Sequence, residues 1–344
     1  MHEPELISSL EEKRWNNLLT STRGCSVFHT VNWAAVLRES YNYQPLYLCA
    51  ENNHSYSLMT LMEIDSMITG RRGVCLPFTD SCEPIAENAQ QFQNLFDRAV
   101  VMGRNRRWKY LEIRGGEEYL SAEKPSQIFF GHTLDLTCGQ RQLFSNLRDS
   151  TRRNIKKAQN AKVHVSISTS LQSLKDFYRL NLMTRREHGL PPQPYVFFQH
   201  LYDQLIARDM GFVITASING QTIAASVYLN YGKDVIYKYG ASEKVWQNLR
   251  ANNLVMWEAI QWSCEKGFKN FSFGRTEKEN EGLRQFKQGW GAREYMIKYY
   301  KYDFRENAFV HESFSVNRLY RKIFKTLPVP VLNMMGNILY RHVG

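Results

Sequence analysis

Two cations near the end of a short β-rich run are the strongest candidates for chemistry in this chain. Arg275 directly follows the run 270–274, and Lys287 lies between Phe286 and Trp290 in the segment FKQGWG. A guanidinium at a strand end can form paired hydrogen bonds to a carboxylate or phosphate. A lysine stem can pack on aromatic rings while its ammonium reaches a cleft. Both residues are therefore predicted to bind an anionic substrate.

Three neighbouring side chains are candidates for moving a proton. Glu277 belongs to an acidic loop after the same run and is the predicted base. Tyr237 and Tyr239 alternate along the preceding β-rich run, 235–239, and strand alternation places both phenols on one face. If that face lines a cleft, Tyr239 is the predicted proton donor and Tyr237 a substrate contact. The alternative is an aromatic ladder between strands.

A polar loop and a helix connect these two β-rich runs. The start of a helix favours an anion, because its first N–H groups lack intrahelical partners and its dipole is positive there. Arg250, Ala251, Asn252 and Asn253 are accordingly predicted to bind the phosphates of a donor, and the two asparagines are predicted caps. Apolar residues surround most of this helix, which predicts that it is buried between other elements.

The net charge of +11 is concentrated in two segments. Residues 141–162 contain seven Lys or Arg and one Asp, and residues 313–344 contain five Lys or Arg and no acid. The first segment predicts a helix, spanning 139–162, on which Arg153 and Lys156 hold phosphates. Such a surface suits a nucleotide-linked substrate, RNA or anionic lipid; a solvated face is the alternative.

Composition limits the compartment and the chemistry. The six cysteines form no CxxC pair and no metal-ligand spacing, so we expect reduced thiols and no metal. P-loop, GxGxxG, HExxH and GxSxG motifs are absent. The acidic amino terminus does not fit a signal peptide, and no apolar run reaches membrane-spanning length. We therefore predict a cytoplasmic protein, at most peripheral at the inner face of a membrane, and no DNA partner.

The chain shows two similar halves. Each half reads as helices, then a β-hairpin with turn residues at 52–54 or 219–220, then further β and α segments. This pattern predicts two α/β domains, 1–135 and 136–305, followed by a basic helical tail, 306–344. Pro328 and Pro330 divide the tail into two amphipathic pieces. We expect the tail to pack on the first domain, with an interfacial membrane helix as the alternative.

These segments resemble the FemAB-like branch of the GNAT acyltransferase superfamily, which includes members linked to exopolysaccharide loci and peptidoglycan bridge-forming enzymes. The resemblance rests on VFHTVNWAAVL, LPFTD at 76–80, STRRNIKKA at 150–158, REHGLPPQP at 186–194 and the segment containing FGR and FKQGWG. It implies a tandem of two GNAT-like α/β domains. It also implies transfer of an acyl or aminoacyl group to an amine or hydroxyl.

The resemblance implies acyl-CoA or aminoacyl-tRNA as the co-substrate. In GNAT enzymes a loop of pattern [QR]-x-x-G-x-[GA] cradles the CoA pyrophosphate, whereas residues 247–252 lack its glycine and end in Asn252. Arg250 is predicted to contact a phosphate instead. Three functions follow: acyl transfer to a nucleotide- or lipid-linked glycan precursor, transfer from aminoacyl-tRNA to a peptidoglycan peptide, or an inactive scaffold in polysaccharide assembly.

Overall fold

A computed structural model describes residues 4–7, 12–52, 55–311 and 324–344 of the chain. The chain divides into two compact units. The first unit comprises Met1–Phe129, Met296–Ser315 and Ile338–Gly344, and the second comprises Phe130–Tyr295 and Val316–Asn337.

The strands are β1 Glu5–Ile7, β2 Gln44–Asn52, β3 Ser55–Ile64, β4 Arg72–Val74, β5 Tyr110–Arg114, β6 Gln127–Asp135, β7 His164–Ser168, β8 Gly211–Ile218, β9 Gln221–Tyr231, β10 Asp234–Ser242, β11 Asn270–Glu277, β12 Arg293–Asp303 and β13 Ala308–Val310. The helices are α1 Glu12–Ser21, α2 Val31–Tyr41, α3 Ala89–Asn105, α4 Gly139–Asn146, α5 Asp149–Asn160, α6 Leu171–Glu187, α7 Tyr195–Gln204, α8 Ala251–Glu265, α9 Glu281–Gln288 and α10 Val329–Leu339.

In the first unit, strands β1 to β5 lie in sequence order, and β12 pairs with β5. The predicted first hairpin is confirmed, because β2 and β3 pair antiparallel from Gln44↔Glu63 to Asn52↔Ser55; its turn residues 53 and 54 lie outside the described part. Helix α3 begins at a cap in which the side chain of Asn88 accepts from Gln91 N–H. The apolar face of α3, including Phe92 and Leu95, then packs on the sheet.

In the second unit, the strand order is β6-β11-β10-β9-β8-β7. The predicted second hairpin is confirmed by the antiparallel pair β8–β9, which closes at Ile218↔Gln221. Strands β10 and β11 are parallel, and α8 connects them. Leu254, Val255 and Trp257 are buried on α8, which packs against the sheet and against α4 and α5. The predicted burial of this helix is therefore confirmed.

The single helix predicted over 139–162 is wrong. The backbone becomes extended at Leu147 and Arg148, where ψ is 143° and 141°, and separates α4 from α5. Leu147 is buried at this break and Arg148 N–H donates to Gly289 O at 3.0 Å. Tertiary contacts of the break therefore outweigh the local helix preference.

The domain limits also differ from those predicted. Tyr299 to Asp303 of β12 pair with Arg114 to Tyr110, so this strand segment lies in the first unit and not in the second. In the predicted tail, 308–310 is a strand. Helix α10 lies in the second unit as far as Asn337, and there the side chain of Asn333 accepts from Tyr178 Oη at 3.0 Å. The first amphipathic piece of the tail falls mostly within 312–323, outside the described residues.

Neither a membrane-spanning helix nor a metal-binding cluster occurs in the described ranges. No helix there is both long and apolar enough to cross a bilayer. No group of three His, Cys, Asp or Glu side chains is arranged there to hold a metal ion.

Candidate functional site

The ladder between the parallel strands β10 and β11 ends midway along both strands. Asp234, Val235 and Ile236 pair with Asn270, Phe271 and Ser272, whereas β10 continues to residue 242 and β11 to residue 277. Beyond this point the two strands no longer pair with each other. On the β11 side of this separation, the carbonyls of Gly274 and Arg275 accept hydrogen bonds from Lys287. A gap of this kind at the carboxyl ends of parallel strands is a common ligand site in α/β sheets.

Lys287 extends from α9 to the end of this ladder. Its side chain is 2% exposed, and Nζ donates to Gly274 O at 2.9 Å and to Arg275 O at 3.1 Å. Gly274 has φ 68°, in the left-handed region that favours glycine. Successive carbonyls of a regular strand point to opposite sides. The turn at Gly274 therefore brings the carbonyls of Gly274 and Arg275 to the same ammonium. The buried cation is thus held at the point where the strands separate.

A charged network that the sequence analysis missed lies next to Lys287. His132 on β6 is fully buried, and its Nε2 lies 3.0 Å from Glu294 Oε2. Arg284 on α9 donates to both oxygens of Glu294, at 2.7 and 3.0 Å. Hydrogen bonds from Arg284 hold the pKa of Glu294 below its usual range. Burial lowers the pKa of His132, the nearby Lys287 lowers it further, and Glu294 opposes both.

The only sequence signal for this network is weak. His132 interrupts an otherwise apolar alternation in QIFFGHTLD, which marks a polar residue on the inner face of a strand. Arg284 and Glu294 belong to a helix and to the following strand, and no periodicity links them.

Protonation of His132 should reduce the stability of the folded protein. Because the pKa of His132 is lower in the folded protein, the unfolded chain binds the proton more readily below about pH 6.5. We expect the free energy of unfolding, measured by urea titration, to fall between pH 7.5 and 5.5. Uptake of one proton on unfolding limits the change in the free energy of unfolding to about 1.4 kcal/mol per pH unit. His132→Gln should reduce this loss without removing it, because burial also lowers the pKa of His29.

A matched control for this experiment is His164→Gln, on the exposed side of β7. It should keep the pH dependence of the wild-type chain. Unchanged pH dependence in His132→Gln would contradict the assignment of the buried neutral state to His132.

The two tyrosines of β10 lie on opposite faces of the sheet, so the predicted shared face is wrong. A β-bulge at Lys238 shifts the register with β9: Tyr237 pairs with Tyr228, and Tyr239 pairs with Val227. An extra residue in one strand reverses the alternation beyond it. Tyr237 therefore packs in the cluster under α8. Tyr239 packs instead on three rings of α6 and α7: Phe177, Phe197 and Phe198.

Tyr237 lies on the same face as the core beneath α8. Burial raises its pKa to about 12, and a hydrogen bond with Ser226 partly offsets this effect. The phenol therefore stays protonated at neutral pH and suits a hydrogen-bond or proton donor. Its hydroxyl fills the space beside Gly240, where an added Cβ would lie 1.8 Å from Oη.

The predicted residues of β11 lie at the carboxyl end of this strand, where Lys287 contacts it. Arg275 is half-buried, and its carbonyl binds Lys287; Glu277 is exposed at the end of the strand. Thr276 between them is buried, and its hydroxyl has no hydrogen-bond partner among the described residues. The same holds for the indole N–H of Trp290 on the next loop. Two buried polar atoms thus remain for a ligand or water near this edge.

The predicted donor loop begins α8 without the predicted caps. Arg250 occupies the position before the helix with φ 61° and is exposed, and α8 starts at Ala251. Asn252 and Asn253 lie inside the first turn and are therefore not caps. The side chain of Asn252 donates to Ser242 Oγ at 2.9 Å, so it ties the helix start to the end of β10. Asn253 is buried.

The basic helix α5 begins next to the end of α9. Gly289, which directly follows α9, accepts from Arg148 N–H, and a Cβ added at Gly289 would lie 2.9 Å from Thr151 Oγ1. Arg153 and Lys156 are exposed one and two turns further along α5. The structure therefore joins this helix to the element that carries Lys287, whereas Tyr239 lies on the opposite face of the sheet.

Comparisons with known proteins identify similar folds. Residues 145–295 match the acetyltransferase (GNAT) domain family. A lipid II:glycine glycyltransferase of Staphylococcus haemolyticus is 28% identical over 90 residues, which are 24% of this chain and 22% of that protein. The chain thus spans less than a quarter of this relative.

Solved structures extend the similarity over most of the chain. FemX is 13% identical with a TM-score of 0.72, over 94% of this chain and 100% of FemX. A tandem GNAT protein from the clavulanic acid biosynthesis pathway is 10% identical with a TM-score of 0.57, over 88% and 98%. L-PGS from Bacillus licheniformis is 13% identical with a TM-score of 0.54, over 91% and 96%. The predicted tandem GNAT-like fold is confirmed.

Proposed function

We propose that this protein is a member of the FemAB-like branch of the GNAT superfamily and transfers an acyl or aminoacyl group. The match of residues 145–295 to the GNAT domain family, the similarity to a glycyltransferase and the FemX-like fold support this proposal. The proposed acceptor is an amine or hydroxyl of a nucleotide- or lipid-linked glycan precursor in cell-envelope or exopolysaccharide biosynthesis. The observation that carries this proposal is Lys287, a buried ammonium held at the separation of β10 and β11.

Acyl transfer requires stabilisation of one negative charge. The acceptor atom forms a bond to the donor carbonyl carbon, and the carbonyl oxygen becomes an oxyanion. Collapse of this intermediate breaks the bond to the leaving sulfur or oxygen. We assign oxyanion stabilisation to Lys287, because a pre-positioned donor in a buried site lowers such a barrier by about 3–4 kcal/mol. Alignment of the two substrates contributes roughly 7–11 kcal/mol.

The reaction also moves one proton from the acceptor to the leaving group. Glu277, exposed at the end of β11, is the proposed base. Tyr237 is the proposed proton donor, since its raised pKa keeps the phenol protonated. Tyr239 was the predicted donor, but its contacts with α6 and α7 place it on the other face.

Four cations, exposed except for the half-buried Arg275, are proposed to bind the phosphates of both substrates. Arg275, Arg153 and Lys156 would hold an acceptor diphosphate, and Arg250 with the first N–H groups of α8 would hold the donor. No metal is assigned a role. The proposed compartment is the cytoplasm, because all six cysteines lie in described segments as thiols.

The proposed function is tested by transfer assays on the full chain with radiolabelled acetyl-CoA or glycyl-tRNA. UDP-N-acetylglucosamine and lipid II serve as acceptors. We expect labelled product from at least one pair. Arg153→Glu/Lys156→Glu should raise KM at least about tenfold, because two phosphate contacts become repulsive. The matched reversal Lys175→Glu/Lys233→Glu, at exposed sites on α6 and after β9, should leave KM unchanged.

Transfer from aminoacyl-tRNA is the second candidate, favoured by the match to a glycyltransferase and by the exposed cations of α5. It predicts product only with glycyl-tRNA and a steep loss of tRNA affinity with salt. Absence of product from every pair, with no binding of donor or acceptor in calorimetry, would contradict both candidates and favour a scaffold.

A further inference from the structure

An apolar tip with basic neighbours stands out on the first unit. In the loop between β3 and β4, Met67 is 102% exposed relative to the reference residue and Ile68 is 68% exposed. Val343, near the carboxyl end of the chain, is 56% exposed. These three side chains, here called the apolar tip, are on adjacent segments. Thr69 Oγ1 donates to His342 O at 3.0 Å, and Ser66 Oγ lies 2.9 Å from His342 Nδ1.

The loop that presents the tip is held in one conformation. Ser66 Oγ accepts from Ile68 N–H at 3.2 Å and from Thr69 N–H at 3.0 Å, and Gly70 N–H donates to Ser66 O at 2.7 Å. Buried Arg72 donates to His342 O at 2.8 Å and fixes the neighbouring segment. The exposed residues are therefore pre-positioned, and the entropy cost of ordering them on binding is small.

Cations surround the tip and define its partner. Lys109 is exposed, with its stem against Gly70 and its ammonium 3.1 Å from Thr69 O. Arg341 is exposed next to His342, and Arg71 is partly exposed beside Asp65. Segments 66–72 and 324–344 contain no acidic residue. Apolar side chains among cations match the two layers of an anionic membrane surface, where acyl chains lie beneath charged headgroups.

We propose that the apolar tip docks the protein on an anionic lipid surface. Met67 and Ile68 would enter the interface between headgroups and acyl chains, while Lys109 and Arg341 would contact headgroup phosphates. A protruding pair of side chains fits a fluid interface without needing a complementary pocket. The assignment extends beyond the proposed transfer reaction and does not depend on it, since docking requires neither donor nor acceptor.

Vesicle co-sedimentation of the full chain tests the proposal. Vesicles of phosphatidylethanolamine with one third phosphatidylglycerol should bind the protein, whereas phosphatidylcholine vesicles should bind it weakly. Met67→Ser/Ile68→Ser should reduce affinity for the anionic vesicles at least about tenfold, because two inserted apolar side chains are lost. Lys109→Glu/Arg341→Glu should also weaken binding, and added salt should have less effect on this variant than on the wild-type chain.

The matched control is Val101→Ser, which alters an exposed apolar residue on α3 and should keep wild-type affinity. Circular dichroism identifies any variant that fails to fold. The proposal is overturned if Met67→Ser/Ile68→Ser binds like the wild-type chain, or if the wild-type chain binds neither vesicle. Concentration-dependent self-association that this variant abolishes, without vesicle binding, would assign the tip to a second copy instead of lipid. Failed transfer with intact vesicle binding would refute only the proposed function.

Discussion

Lys287→Met is expected to lower kcat/KM for acyl transfer by about 100- to 1,000-fold, the range seen when one oxyanion donor is removed from an active site. Methionine is one atom shorter than lysine and keeps an unbranched apolar stem, but it cannot donate to Gly274 O or Arg275 O. If the ammonium stabilises charge that develops only in the transition state, the loss appears in kcat. Single-turnover kinetics with saturating donor measure this step.

Two variants separate catalysis from folding. Lys278→Met removes an exposed lysine from the loop before α9 and should leave kcat unchanged. Lys287→Gln keeps a donor for the two carbonyls but removes the charge, so it should preserve more of the unfolding free energy while kcat stays low. Equal losses of kcat and stability across these variants would assign Lys287 a structural role only.

Local signals predicted the parts of the fold that depend on neighbouring residues. Turn residues between alternating runs located both hairpins, and the apolar surface of α8 predicted its burial. Both features follow from a few consecutive residues, because turn geometry and helix periodicity are short-range properties.

Register and tertiary contacts determine what the sequence did not predict. The bulge at Lys238 reflects how β10 aligns with β9, and no residue within 235–239 specifies that alignment. It separates Tyr239 from Tyr237, which strict alternation had placed together. Likewise, the break at Leu147 depends on its contacts within the second unit.

Nearness in sequence explains the contact between two of the candidate residues. Lys287 Nζ donates to the main-chain carbonyl of Arg275, because a strand end and the helix that follows it are close in space. The partners of this pair could not be predicted, since His132 comes from a strand far earlier in the chain. A buried histidine becomes informative only when the adjacent strand is known. Glu277 and Arg250 are exposed, and their roles as base and phosphate contact are proposals.

Gly240→Ala tests how tightly the bulged strand holds Tyr237. The new Cβ would lie 1.8 Å from Tyr237 Oη and 2.8 Å from Cζ, so the ring must leave its contact with Tyr228. We expect a loss of about 1–3 kcal/mol in unfolding free energy, the usual cost of overpacking. If Tyr237 is the proton donor, as proposed, transfer should weaken too, because Gly240→Ala displaces the phenol.

A double-mutant cycle with Tyr237→Phe identifies the cause. Removal of the hydroxyl relieves the shorter of the two contacts, so Gly240→Ala should destabilise the Tyr237→Phe protein less than it destabilises the wild-type chain. Gly282→Ala on α9 is the matched control: its added Cβ meets no atom within 4 Å, and alanine should stabilise the helix slightly. Additive losses in the cycle would mean that Gly240 and Tyr237 act independently. The register of β10 would then not be what positions the phenol.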